Sequence, residues 1–174
     1  MTGSVRIDML QPMEVIVLAD SHLTGGFGSI GDQVLVAVAA ADVVFHAGDI
    51  TSPQALVELQ TMAETYAVLG NNDHDLVGTL PESRVFDLEG IRCALVHDSG
   101  PSKGRPARLH RRFPDADLVV FGHSHVPINE AGVDDQVLFN PGSATQRRSQ
   151  LHRTFGRLRI ARGRIQDRWI EIVI

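Results

Sequence analysis

Residues 14–22, Glu14-Val15-Ile16-Val17-Leu18-Ala19-Asp20-Ser21-His22, form an unbroken apolar run that ends in a carboxylate and an imidazole two residues apart. The run is too continuous to leave one face in water, so it reads as a strand buried on both sides, as in a parallel sheet. The pattern recurs along the chain. Residues 42–47 (DVVFHA) lead to Gly48-Asp49, and residues 66–69 lead to Gly70-Asn71-Asn72-Asp73. Residues 92–96 lead to His97, and residues 118–121 to Gly122-His123-Ser124-His125. In parallel α/β sheets, residues just beyond the strand carboxyl ends converge on one crevice. Segments far apart in sequence therefore deliver seven donors to one place: Asp20, His22, Asp49, Asn71, His97, His123 and His125. Carboxylate oxygen, amide oxygen and imidazole nitrogen in that number suit two divalent cations sharing one carboxylate, of the borderline to hard kind such as Mn, Fe, Zn or Co.

The intervening segments complete an architecture. Residues 25–31 are a glycine-rich loop, and residues 32–41 read as a helix that packs through its alanines. Pro53 suits the first turn of a helix running to about residue 64, with Ser52 as its N-cap. Residues 84–88 and 136–139 are further strands, and residues 104–112 a short helix stopped before Pro114. Residues 158–161, an Arg162-Gly163 turn and residues 165–174 read as an antiparallel hairpin. A βαβαβ start followed by mostly β structure predicts an α/β fold of two mixed sheets, packed face to face with helices outside, a four-layer αββα sandwich. The 174 residues suit one domain over residues 13–174, with residues 1–12 a loosely held leader.

A formal net charge of -5 argues against nucleic-acid or anionic-membrane binding, since either favours a basic face. Cys93 is the one cysteine, which rules out an intrachain disulfide and a cysteine-based zinc site, and it reads as a small core residue. No apolar stretch approaches the ~20 residues that span a bilayer, so the expected location is the cytoplasm. His46, inside a strand, is expected to be packed in the core or to support a ligand from behind.

The chain resembles the calcineurin-like metallophosphoesterases, in particular their small single-domain bacterial and archaeal phosphodiesterases, and also the retromer subunit that shares their fold. The matching motifs are DSH at 20–22, GD at 48–49, GNND at 70–73, His97, GHSH at 122–125 and NPGS at 140–143. The resemblance implies that Asp20, His22, Asp49 and His125 hold one metal, that Asp49 bridges to a second, and that Asn71, His97 and His123 complete that second site. It further implies two divalent ions, Mn first, with Fe, Zn, Ni or Co as alternatives. A hydroxide bridging them would attack phosphorus in line, and the partner would be a small-molecule phosphoester. A homo-oligomer is compatible with the family.

Two departures stand out. The family's second histidine after the fourth strand is here Ser99. The histidine that donates a proton to the leaving group in the phosphatase branches is here Asn72. Asn72, Asp73 and His74 are therefore the candidates for catalytic support, Asp73 as a partner of an imidazole or of Asn72, and His74 as the nearest replacement acid. Arg147 and Arg148, after the NPGS turn, could reach a phosphate. The resulting expectation is a phosphodiesterase. Its rivals are a phosphomonoesterase or nucleotide hydrolase on the same metals, and a non-catalytic scaffold of the retromer-subunit kind.

Overall fold

The structure, a computed structural model, describes residues 11–174; of the leader expected over residues 1–12, all but the last two residues lie outside the described residues. One mixed sheet is built from β1 (Met13–Leu18), β2 (Val43–His46), β3 (Glu64–Ala67), β9 (Arg153–Ala161) and β10 (Arg164–Val173), in the order β10-β9-β1-β2-β3. The other is built from β4 (Ser83–Leu88), β5 (Ile91–Val96), β6 (Leu118–Val120), β7 (Ile128–Ala131) and β8 (Val137–Asn140), in the order β4-β5-β6-β8-β7. Within the first, β1, β2 and β3 run parallel; within the second, β5, β6 and β8 do.

The strand alternation assigns the layers. Val15, Val17 and Ala19 point inward to meet Cys93, Leu95, Val120 and Phe139 of the opposite sheet, forming the central core. Ile16 and Leu18 point outward and pack under α1 (Asp32–Ala39) and α2 (Pro53–Met62), through Val34, Val38, Leu56 and Leu59. On the far side, Ala94, Val96, Val119 and Phe121 pack under α3 (Arg105–Arg112) through Leu109. The result is the expected four-layer αββα sandwich of two mixed sheets. The Ser52 hydroxyl accepts from the Ala55 N–H at 3.2 Å, capping α2 as read from the sequence. Cys93 is fully buried and burial pushes its thiol up to about 12, an inert core residue.

Three strands differ from the sequence expectation by more than one residue, and α1 and α2 each end two residues short of it. β3 begins two residues early, because pairing with β2 sets its register from Val43↔Glu64 to His46↔Ala67, while Val68 and Leu69 run on beyond the ladder. β7 was not foreseen, being a polar, mostly exposed edge strand with no apolar alternation to read. β9 is longer than the expected 158–161, beginning at Arg153 and running through Gly156. There the Phe139 ring lies so close that a Cβ would stand 2.3 Å from it, and only glycine lets the inter-sheet core close.

Candidate metal centre

The two sets of parallel strands end at the same edge of the sandwich, and all seven expected donors collect there. They form a continuous chain of neighbouring atoms. His123 Nδ1 lies 2.9 Å from Asn71 Oδ1, which lies 3.0 Å from His97 Nε2. His97 Nε2 is 3.5 Å from Asp49 Oδ2, and that oxygen is 3.7 Å from His22 Nε2. His22 Nε2 is 3.2 Å from His125 Nε2, which is 3.4 Å from Asp20 Oδ1. Two groups have their donor atoms all within 4.8 Å of one another: Asp20, His22 and His125, and Asp20, Asp49 and His97. Asp20, Asp49 and His125 are buried, whereas Asn71 and His123 are exposed, so the cluster opens to solvent on the second side.

The backbone that presents these donors is unusual. Asp20, His22, Asp49, His123 and His125 have φ of 53°, 44°, 57°, 68° and 58°, all in the left-handed region. Asp and His visit that region more readily than most side chains, yet each such residue costs on the order of 1–3 kcal/mol and persists only where its surroundings over-determine it. Here the surroundings do so. The Asp73 carboxylate, 2% exposed, accepts from the backbone N–H of Asp49 at 2.8 Å, Thr51 at 2.7 Å and Gly70 at 2.7 Å. It thereby ties the turn after β2 to the turn after β3. Ser143 Oγ donates to the Asp20 carbonyl and Thr145 Oγ1 to the Ser21 carbonyl, each at 2.7 Å, which ties the NPGS segment to the turn after β1. Asn140, fully buried, donates to the Gly122 carbonyl at 2.9 Å and accepts from the Gly142 N–H at 2.9 Å, holding the same segment to the turn after β6. His46, fully buried, lies 2.5 Å from Ser21 Oγ through Nε2, a link between the first two turns.

Main-chain acceptors settle two tautomers. His97 Nδ1 is 2.7 Å from the Ala47 carbonyl and His125 Nδ1 is 2.9 Å from the Gln146 carbonyl. A carbonyl only accepts, so each Nδ1 carries the proton and each Nε2 turns a lone pair toward the cluster. His97 Nε2 and Asn71 Oδ1 then face one another as two acceptors, an arrangement that a cation between them relieves. Asp20 makes the same point: both its oxygens are buried without a hydrogen-bond partner. The residues fit divalent metal ions on these grounds.

Electrostatics follow from the crowding. Burial, then the Asp49 charge, push the Asp20 carboxyl up to about 8, and the His123 backbone N–H, near it but outside hydrogen-bonding geometry, offsets only part. Burial alone would raise Asp49 as well. The Asn72 backbone and side-chain N–H groups, at 2.8 and 2.7 Å, together with His97 and His22, outweigh it and hold Asp49 below the usual carboxylate range. Burial lowers His22 and His125, and Arg148 adds to both effects. Burial takes His46 down to about 3, with His97 adding to it.

A linkage prediction arises here. Asp20 titrates near ~3.9 in the unfolded chain, so between that pH and about 8 the metal-free native state holds a proton that the unfolded state has released. That difference makes stability fall as pH rises. The lowered histidines act in the opposite sense, but only below about 6.5, the unfolded value. Between pH 6.5 and 8 the decline from Asp20 is therefore unopposed by them. In excess chelator the melting temperature should drop across this interval, and Asp20→Asn should flatten the profile; a wild-type profile that is level or rising there contradicts the assignment.

The three supporting candidates fare differently. Asn72, though exposed, directs its backbone and side-chain N–H groups to the Asp49 carboxylate. The imidazole or Asn72 partner expected for Asp73 is instead the three backbone N–H groups. His74 is exposed in a 3₁₀ turn (His74–Leu76) and makes no hydrogen bond to any of the seven donors. The Ala47 and Gln146 carbonyls escaped the sequence reading, because a main-chain acceptor has no residue identity to read. Ser143 was signalled by the NPGS motif, Thr145 by nothing.

The family profile described as the calcineurin-like phosphoesterase superfamily domain matches residues 13–163. A probable metallophosphoesterase of Methanothermobacter thermautotrophicus is 35% identical over 135 residues, 76% of this chain and 78% of that protein. Among solved structures, wild-type Vps29 of Entamoeba histolytica complexed with Zn²⁺ superposes with a TM-score of 0.72 at 21% identity, covering 92% of this chain and 98% of that one. A structure described as a novel archaeal phosphodiesterase gives 0.70 at 19% identity, covering 92% of this chain and all of that one (100%). A family match over most of the length, joined to the fold and the strand-end donors, places the chain in the calcineurin-like phosphoesterase superfamily.

Proposed function

We propose that the protein is a metal-dependent phosphodiesterase with two divalent cations, Mn first among Mn, Fe, Zn, Ni and Co. The observation that carries this reading is the complete set of seven donors, linked atom to atom at one sheet edge with their backbone already in place. Asp20, His22, Asp49 and His125 would hold one ion and Asn71, His97 and His123 the other. Asp49 would serve both: its Oδ2 stands 3.7 Å from His22 and 3.5 Å from His97, whereas Asp20 Oδ1 lies 3.4 Å from His125 but 4.0 Å from His97. Bound divalent cations supply Lewis-acid polarisation of a phosphoryl oxygen and lower the pKa of a water toward neutrality.

The chain's own residues do the rest. The Ala47 and Gln146 carbonyls keep His97 and His125 in the ligating tautomer. Asn72 fixes the orientation of Asp49. The exposed edge at Asn71 and His123 admits the substrate. The substrate is a small phosphoester, with no stable nucleic-acid partner, and among the described residues no helix is long and apolar enough to cross a membrane. A cytoplasmic location and a homo-oligomeric state belong to the same reading.

Zn²⁺ in the Vps29 relative means that metal content alone does not separate an enzyme from a scaffold. The deciding experiment is metal analysis followed by parallel assays of bis(p-nitrophenyl) phosphate and p-nitrophenyl phosphate with each cation. Metal-dependent turnover of the diester above the monoester supports the reading, and no turnover with any cation removes it. Leaving groups give a finer check. Asn72 occupies the family's proton-donor position and is an amide, while His74 lies apart, so departure proceeds without the ~10²–10⁴-fold that a general acid contributes. Across substituted phenyl phosphodiesters the rate should fall steeply as the leaving-group pKa rises. A level response would mean that an acid is present.

A further inference from the structure

On the open side of the cluster a groove of about 260 Å³ is lined by Asn71, His97 and His123 and, beside the apolar Leu69 and Val96, by Glu82, Asp98 and Arg112. All three charged side chains are exposed, and none makes an ion pair among the described residues. Arg112 is held over the Phe113 ring, 5.1 Å from its centroid. Asp98 accepts from the Gly100 N–H through Oδ1 at 2.6 Å, leaving Oδ2 for the groove. The loop behind it is stiff. Arg108 donates to the carbonyls of Ser99 and Pro101, and Arg105 Nε donates to Ser99 Oγ at 3.0 Å.

The charges of this groove select an occupant by elimination. An anionic group meets Glu82 and Asp98, and an ammonium meets Arg112. The aromatic rings in the lining are the imidazoles of His97 and His123, which the cluster engages through their nitrogens and which pack edge to face at 5.2 Å between centroids, so the mixed charges of Glu82, Asp98 and Arg112 are what the groove offers a substituent. A hydroxyl group satisfies both signs at once, donating to a carboxylate and accepting from a guanidinium. The volume is modest beside the ~300–1,000 Å³ of pockets for larger ligands, which suits a small group. We propose that this groove takes one alcohol substituent of a phosphodiester, and that the substituent is a glycerol- or sugar-sized polyol. The proposal rests on the phosphodiesterase reading for its reaction, but the groove can be tested by binding alone.

The test uses the Mn²⁺-loaded full chain and two arms. In the first, glycerol 3-phosphate and methyl phosphate are titrated by calorimetry; the polyol phosphate should bind about tenfold more tightly. In the second, p-nitrophenyl phosphoglycerol and p-nitrophenyl methyl phosphate are compared, and the preference should lie mainly in KM. Both ratios should shrink to within about twofold in Glu82→Gln/Asp98→Asn and in Arg112→Ala, exposed positions whose folding is checked by melting. Equal affinities for the two phosphates in the wild type, or ratios untouched by both variants, overturn the proposal. Cleavage of bis(p-nitrophenyl) phosphate without any polyol preference also overturns it and leaves the phosphodiesterase reading standing. If no diester is cleaved, that reading fails, and the calorimetric ratio still decides the groove.

Discussion

Asp49→Asn is expected to lower kcat/KM on bis(p-nitrophenyl) phosphate by on the order of 10³-fold or more, about 4 kcal/mol of transition-state stabilisation. Asp49 Oδ2 stands 3.7 Å from His22 and 3.5 Å from His97, so its loss weakens both halves at once. The metal-free protein should respond far less. The Asp49 charge is a main cause of the raised Asp20 pKa, so an amide removes that repulsion, and it also gives up the stability that the lowered Asp49 carboxylate contributes at neutral pH. The melting temperature in chelator should therefore change little, whereas the increase produced by saturating Mn²⁺, present in the wild type, should largely vanish. Melting with and without metal, alongside steady-state kinetics, reads both effects. Wild-type activity in a metal-loaded Asp49→Asn protein would show that the shared carboxylate is not needed.

Gly70→Ala should be the most damaging single methyl in the molecule's site. A Cβ there would lie 2.1 Å from Asp49 Oδ1 and 2.2 Å from the Asp49 backbone nitrogen. The side chain could swing away, but the backbone nitrogen cannot, because Asp73 holds both it and the Gly70 N–H. Relief requires separating the turns after β2 and β3. We expect a loss of about 3 kcal/mol or more in urea unfolding of the metal-free protein, with metal affinity reduced in parallel. Gly28→Ala is the control, since a Cβ there meets nothing within 4 Å, and it should shift stability by no more than about 0.5 kcal/mol. Similar costs at the two positions would refute the steric account.

The layers and the donor set were legible in the sequence for one reason: the strands are buried on both faces, so each apolar run ends visibly where the chain turns to polar chemistry. Asp20, Asp49 and His97 stand directly at such ends. Elements without that contrast were lost. β7 is an exposed edge strand, Ile128–Ala131, and the frame of β3 depends on its neighbour's length rather than on its own residues. In the site, the types of the donors could be read but not their supports. Asp73 looked like a partner for another side chain, whereas it binds three backbone N–H groups that any residue could supply. Asn72 looked like a missing acid, and its actual engagement with Asp49 depends on a turn geometry that composition does not encode.

The left-handed backbone at five of the donors makes the turns interdependent. Asp73 ties the turn after β2 to the turn after β3, and Ser143, Thr145 and Asn140 tie the NPGS segment to the turns after β1 and β6. Cutting any one tie therefore slackens donors that arrive on different strands, and damage far from a given donor reaches it through the main chain.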